Sequence, residues 1–87
     1  MKAVILYHPK SAEARTVEDY AKDFKNRTNR VIEMVSLETR EGAATASLYD
    51  IVRYPALMVL DQSGHLQMGW QGQELPLMDE LTGYLAA

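Results

Sequence analysis

The stretch Arg53-Tyr54-Pro55-Ala56-Leu57-Met58-Val59-Leu60 constrains this chain more than any other. A proline pushes the residue before it out of the helical region, so no helix can run through Tyr54. The five apolar residues that follow read as a strand buried on both faces, which belongs in the middle of a covered sheet. Residues 2–7 have the same character. Val4 and Leu6 fall on one face and Ala3, Ile5 and Tyr7 on the other, giving a second central strand.

Between these two strands the periodicity is helical, then extended, then helical. His8-Pro9-Lys10-Ser11 breaks the first strand, because proline cannot continue a ladder. Ser11 is a candidate N-cap for a helix from Ala12. A capping box at Thr16 and Asp19 offers a later start. Ala14, Val17, Ala21 and Phe24 form one apolar stripe with Tyr20 on its flank, and residues 26–29 end the helix. Residues 30–37 read as a strand with Ile32 and Met34 on one face. Glu33 in its middle places it at the periphery of the sheet. A second helix begins within residues 38–42, capped by Thr39, with Ala44, Leu48, Ile51 and Val52 as its apolar face.

After the strand at residues 56–60, Asp61-Gln62-Ser63-Gly64 signals a tight turn into an edge strand over residues 65–71. Leu66, Met68 and Trp70 alternate inward there. Gln71-Gly72-Gln73-Glu74 is a loop. Pro76 suits the first turn of a last helix, whose expected buried face is Leu77, Met78, Leu81, Tyr84 and Leu85. The element order is β-α-β-α-β-β-α, and 87 residues suffice for one domain, residues 1–87.

Composition narrows the function classes. The 47% hydrophobic and 24% charged residues describe an ordinary globular domain. A net charge of -3 gives no reason to expect nucleic acid or an anionic membrane as partner. No apolar run is long enough to span a bilayer, and residues 3–7 are too short for the apolar region of a signal peptide, so cytoplasm is the expected compartment. The chain has no cysteine and only two histidines, so neither a metal site nor another cofactor is expected.

The order of elements, with a proline just before the third strand, resembles the thioredoxin-like fold. Leu48 to His65 looks like the family's helix end, proline, apolar strand, glycine turn and edge strand, and Trp70-Gln71-Gly72 places a glycine where the family commonly has one. The short start, reaching Tyr7-His8-Pro9-Lys10, is similar in length to glutaredoxins. The resemblance implies an α/β domain with a four-stranded mixed sheet ordered 2-1-3-4, helices on both faces and the third strand antiparallel to the first two. It also implies a cis Tyr54-Pro55 bond beside a cleft, where relatives bind an extended peptide or glutathione by strand addition.

One departure decides the chemistry. The first active-site cysteine of redox-active relatives falls on Ser11 or Ala12 here, and the second on Ala14 or Arg15. Thiol–disulfide exchange needs a thiolate to attack a disulfide sulfur, and a serine hydroxyl cannot form the mixed disulfide. The expectation is therefore a redox-inactive, non-enzymatic domain that binds a peptide segment or protein partner beside Tyr54-Pro55. Candidate ligand-binding residues are Tyr7, His8, Lys10, Ser11, Ala12, Arg15, Tyr54, Pro55, Gln73 and Glu74. An alternative is a glutathione- or anion-binding domain akin to the N-terminal domain of glutathione transferases. In it Tyr7 or Ser11 would face the ligand's thiolate, Lys10 and Arg15 an anion, and Gln73-Glu74 the γ-glutamyl end. A third is a structural domain that assembles through its edge strand. In an insulin-reduction assay the protein is expected to leave the dithiothreitol-driven rate at the blank value, and turnover above blank in a clean preparation would contradict the thiol argument.

Overall fold

Hydrophobic burial places the strand Lys2–Tyr7 (β1) in the centre, with Ala3, Val4, Ile5 and Leu6 all buried. The computed structural model describes residues 1–72 and 74–86. After β1 come α1 (Ala14–Thr28), β2 (Ile32–Ser36), α2 (Arg40–Leu48), β3 (Ala56–Leu60), β4 (Leu66–Gln71) and α3 (Met78–Leu85). β1 pairs in parallel with β2 and antiparallel with β3, and β4 closes the sheet antiparallel to β3, in the order β2-β1-β3-β4. This is the sheet that the resemblance implied.

Each face of the β1–β3 pair has its own core. Ala3, Ile5, Leu57 and Val59 pack against Val17, Ala21 and Phe24 of α1 and Leu81 and Leu85 of α3. Val4, Leu6, Met58 and Leu60 pack against Ala46 of α2 and Ile51. β2 lies at the edge, as its mid-strand charge requires. Glu33 meets Lys2 at 3.4 Å with both side chains more than half exposed, so the pair adds little stability.

The apolar stripe of α1 is as expected, with Ala14, Val17, Ala21 and Phe24 buried. Its start is not. Ser11 is no N-cap: its Oγ donates to the His8 carbonyl at 2.7 Å and its N–H bonds the same oxygen at 3.0 Å, closing a turn around Pro9. The helix starts at Ala14, with Glu13 at the cap position making no side-chain cap bond. Thr16 and Asp19 lie inside the helix, so their capping box does not operate either. Asn29 ends α1 in the left-handed region at φ 59°, which asparagine tolerates, while its side chain accepts from Lys25 Nζ at 2.7 Å.

Thr39 caps α2, its Oγ1 accepting from the Gly42 N–H at 3.0 Å. The expected apolar face of α2 is wrong. Leu48 and Val52 are 75% and 77% exposed and Ala44 is exposed, while Gly42 and Ala46 face the sheet. The reason is a close approach: a Cβ on Gly42 would stand 1.9 Å from the Ser36 carbonyl oxygen, so only small residues fit the contact. The helix also stops at Leu48, well before Pro55. Asp50 turns left-handed at φ 55°, and the Ile51 N–H bonds the Ala46 carbonyl at 2.8 Å, which returns Ile51 to the core out of helical phase.

The turn into β4 is built on Asp61, whose Oδ1 accepts from the Ser63 and His65 N–H groups at 2.8 and 2.9 Å, with Gly64 at φ 84°. These bonds, that from His65 first, hold the Asp61 carboxyl below its ordinary range. β4 begins at Leu66, one residue later than expected. The register then slips: Val59 faces Met68, but Leu60 faces Leu66, leaving Gln67 as an extra residue. Leu66 therefore sits opposite Leu60 on the α2 side and is 44% exposed, while Trp70 packs toward α1 and α3 and Met68, opposite Val59, shares that side of the sheet. Pro76 also precedes α3 rather than joining it. Leu77 occupies the N-cap with extended backbone and is 78% exposed, so it is not on the buried face, and Tyr84 is only marginally covered.

Gly42→Ala is expected to cost about 3 kcal/mol, because the methyl meets backbone that cannot swing aside. Leu48→Ala should change stability by no more than about 0.5 kcal/mol. Urea unfolding at constant m-value checks both.

Candidate functional site

Antiparallel pairing sets Leu6 against Ala56, so the chain leaving β1 passes the chain entering β3. The turn at residues 8–13 thereby meets residues 51–55. The Tyr54-Pro55 peptide bond is cis. Pro55 is buried, and its carbonyl accepts from the Gly72 N–H at 2.9 Å. Gln71 Oε1 accepts from the Val52 and Arg53 N–H groups at 3.0 and 3.2 Å, which ties this segment to the end of β4. The Tyr54 hydroxyl donates to the Ile51 carbonyl at 3.0 Å, and its ring meets His8 edge to face at 5.4 Å.

Pro55 and Glu13 line two hollows. One, of about 240 Å³, is lined by Ala12, Glu13, Thr16, Val17, Pro55 and Leu75. The other, of about 50 Å³, is lined by Tyr7, His8, Ser11, Glu13, Tyr54 and Pro55. The Leu75 side of the cleft is held by Tyr20 of α1, whose hydroxyl donates to the Pro76 carbonyl at 2.8 Å. Desolvation, with Glu80 nearby, pushes the Tyr20 phenol up to about 12.

The structure thus gathers Tyr7, His8, Ser11, Ala12, Tyr54 and Pro55 around one place. Lys10, Arg15 and Glu74 are exposed and line neither hollow, and Gln73 lies outside the described residues. Glu13, Thr16, Val17 and Leu75 were not expected. Residues 13, 16 and 17 share one face of the first turns of a helix, so the stripe that located Val17 could have found them. Leu75 comes from the loop before α3, for which no local pattern gives a position.

The hydroxyls here are already engaged. Ser11 Oγ donates to the His8 backbone carbonyl, so its proton does not go to an imidazole base. His65 is at the opposite end of β3, beside Leu60 rather than Pro55. The Tyr7 hydroxyl reaches Glu18 Oε2 at 3.5 Å. Desolvation, then the Glu18 charge and hydrogen bond, raise its pKa above the ordinary phenol value. A neutral phenol pointing at a carboxylate is poorly placed to stabilise a thiolate. Among the described residues no group of three or more His, Cys, Asp or Glu could hold a metal ion, and no helix is long and apolar enough to cross a membrane.

Tyr7 is expected to ionise above its ordinary value, and Glu18→Gln to bring its titration down by removing the negative neighbour. Carbon NMR of the tyrosine rings across an alkaline titration checks this, and an unchanged Tyr7 midpoint in the variant would show that Glu18 has no part in the shift.

No family model matches the sequence, and no curated protein matches it. Solved structures do. Thioredoxin 1 from the thermophilic eubacterium Thermosipho africanus TCF52B superposes with a TM-score of 0.69 at 12% identity, covering 99% of this chain and 91% of that one. A chain from the complex of ferredoxin:thioredoxin reductase with thioredoxin f2 gives 0.68 at 14% identity, covering 98% of this chain and 76% of that one. At such identities the similarity speaks to the fold alone. This chain has a thioredoxin-like fold, and it has it without a single cysteine.

Proposed function

We propose that the chain is a redox-inactive thioredoxin-like domain that binds an extended segment of a partner protein across Pro55. The observation that carries this reading is the cleft itself, lined by Pro55, Ala12, Thr16, Val17 and Leu75 with Glu13. At about 240 Å³ it is smaller than the roughly 300–1,000 Å³ of small-molecule sites, and it suits one or two side chains of a longer segment. Tyr54 lies just before β3, between the Arg53 N–H bonded to Gln71 and the Pro55 carbonyl bonded to Gly72, and an added strand can run alongside it. A protein partner is also in keeping with the solved complex named above, in which thioredoxin f2 stands with a reductase.

Charge selects the kind of segment. Glu13 lines both hollows, while Lys10 and Arg15 stand outside them. A neutral or basic segment with one apolar side chain fits this lining better than glutathione, which brings two carboxylates. The absence of any thiol leaves the site able to hold a segment without exchanging disulfides with it.

Amide NMR titrations with a short apolar–basic peptide, its acidic counterpart and glutathione test the proposal. Shifts at Thr16, Val17, Tyr54 and Leu75 are expected with the first peptide, and Thr16→Trp, which fills the cleft, should weaken binding at least about tenfold, or 1.4 kcal/mol. Binding of glutathione alone would replace the peptide reading, and no response to either peptide would sink it.

A further inference from the structure

Among the described residues no strand pairs with the outer edge of β4. β4 ends the sheet, and Leu66–Gln71 contains no charged side chain and no proline. Proteins usually guard such an edge with charge, proline or a bulge, since unpaired backbone invites another strand. The opposite edge, β2, carries Glu33. On β4 the one guard is the irregularity at Gln67, near its start.

A single hydrogen bond fixes which groups of β4 point outward. The Gly72 N–H donates to the Pro55 carbonyl, and Ala56 faces Gln71, so Pro55 and Gly72 form a hydrogen-bonded pair. Antiparallel ladders alternate bonded and non-bonded pairs. Leu57 with Trp70 and Val59 with Met68 are then bonded pairs as well. Gly69 and Gln71 are left with N–H and C=O groups directed away from β3.

We infer that this edge pairs with a second copy of the chain, antiparallel, about a two-fold axis at Trp70. Gly69 of each copy then stands opposite Gln71 of the other, and their outward groups form four backbone hydrogen bonds. This register stays within the regular part of β4. One centred on Gly69 instead would bring in Gln67, where the ladder is irregular. The axis is perpendicular to the sheet, so like faces stay together. Trp70 meets Trp70 of the second copy on the α1–α3 side as a non-bonded pair, the kind with the closer side chains. Each Trp70 already has Tyr84 edge to face at 5.7 Å, so four rings come together across the axis. Gly69 and Gln71 add no like charges on the other face. The contact lies at the small, transient end of interfaces, below about 1,200 Å², and association depends on concentration.

Trp70 is the chain's one tryptophan, so its emission reports directly on the axis. Sedimentation velocity from micromolar to millimolar protein, with amide exchange by NMR at both extremes, tests the inference. A dimer that grows with concentration is expected, with a change in Trp70 emission and exchange at Gly69 and Gln71 slowed about tenfold or more. Gly69→Pro removes an outward N–H without touching the β3 ladder and should be monomeric. Gly69→Ala, whose Cβ meets its nearest neighbours at an ordinary 3.8 Å, should still dimerise. If the proline variant does not fold, the wild-type exchange pattern decides. A monomer throughout overturns the inference, as does a dimer in which Gly69 and Gln71 exchange freely. Protection of these amides only by an added foreign peptide would also overturn it.

Discussion

Everything else in the structure depends on the burial of both faces of the β1–β3 pair. Nine residues, Ala3 to Leu6 and Ala56 to Leu60, are buried there and alternate between the two cores. Each fully buried Val, Leu, Ile or Met contributes about 1.5–3 kcal/mol. With no disulfide or metal ligation from cysteine to add to it, that apolar contact is the main force holding the helices in place. It also fixes the functional geometry. The two strands run antiparallel, so the end of one and the beginning of the other meet at the same rim, and Tyr7 and Pro55 are brought together by pairing alone.

This central pair was also the most legible part of the sequence. A strand covered on both sides has no polar face, so Ala3 to Leu6 and Ala56 to Leu60 appear as unbroken apolar runs whatever surrounds them. The stripe of α1 was legible because its buried residues recur at helical spacing. What was hidden came from single contacts that carry no period. The approach of Gly42 to Ser36 rotates α2 so that Ala46, not Leu48, faces the sheet. One extra residue at Gln67 moves Leu66 to the other side of β4. An extended Leu77 leaves the phase of α3 before the helix begins. In each case a strongly apolar residue is exposed, and hydrophobicity alone points the wrong way.

The site divides along similar lines. Positions tied to the break after β1 and to Pro55 could be named in advance, because chain breaks are local. Whether a charged neighbour reaches the cleft could not. Lys10 and Arg15 sit within a few residues of Ser11 and Ala12 yet project outside the lining, whereas Glu13 between them enters it. A net charge of -3 could not distinguish those arrangements, although they favour opposite ligands.

The tether from Tyr20 to Pro76 bears on how constant the cleft is. The phenol's folded value of about 12 lies above its ordinary value near 10. The stability linked to that shift is therefore complete below about 10 and is lost only as the pH rises through about 12. Across the neutral range the hydroxyl keeps its proton and goes on donating to the Pro76 carbonyl. The wall carrying Leu75 thus has a brace that physiological acidity does not switch.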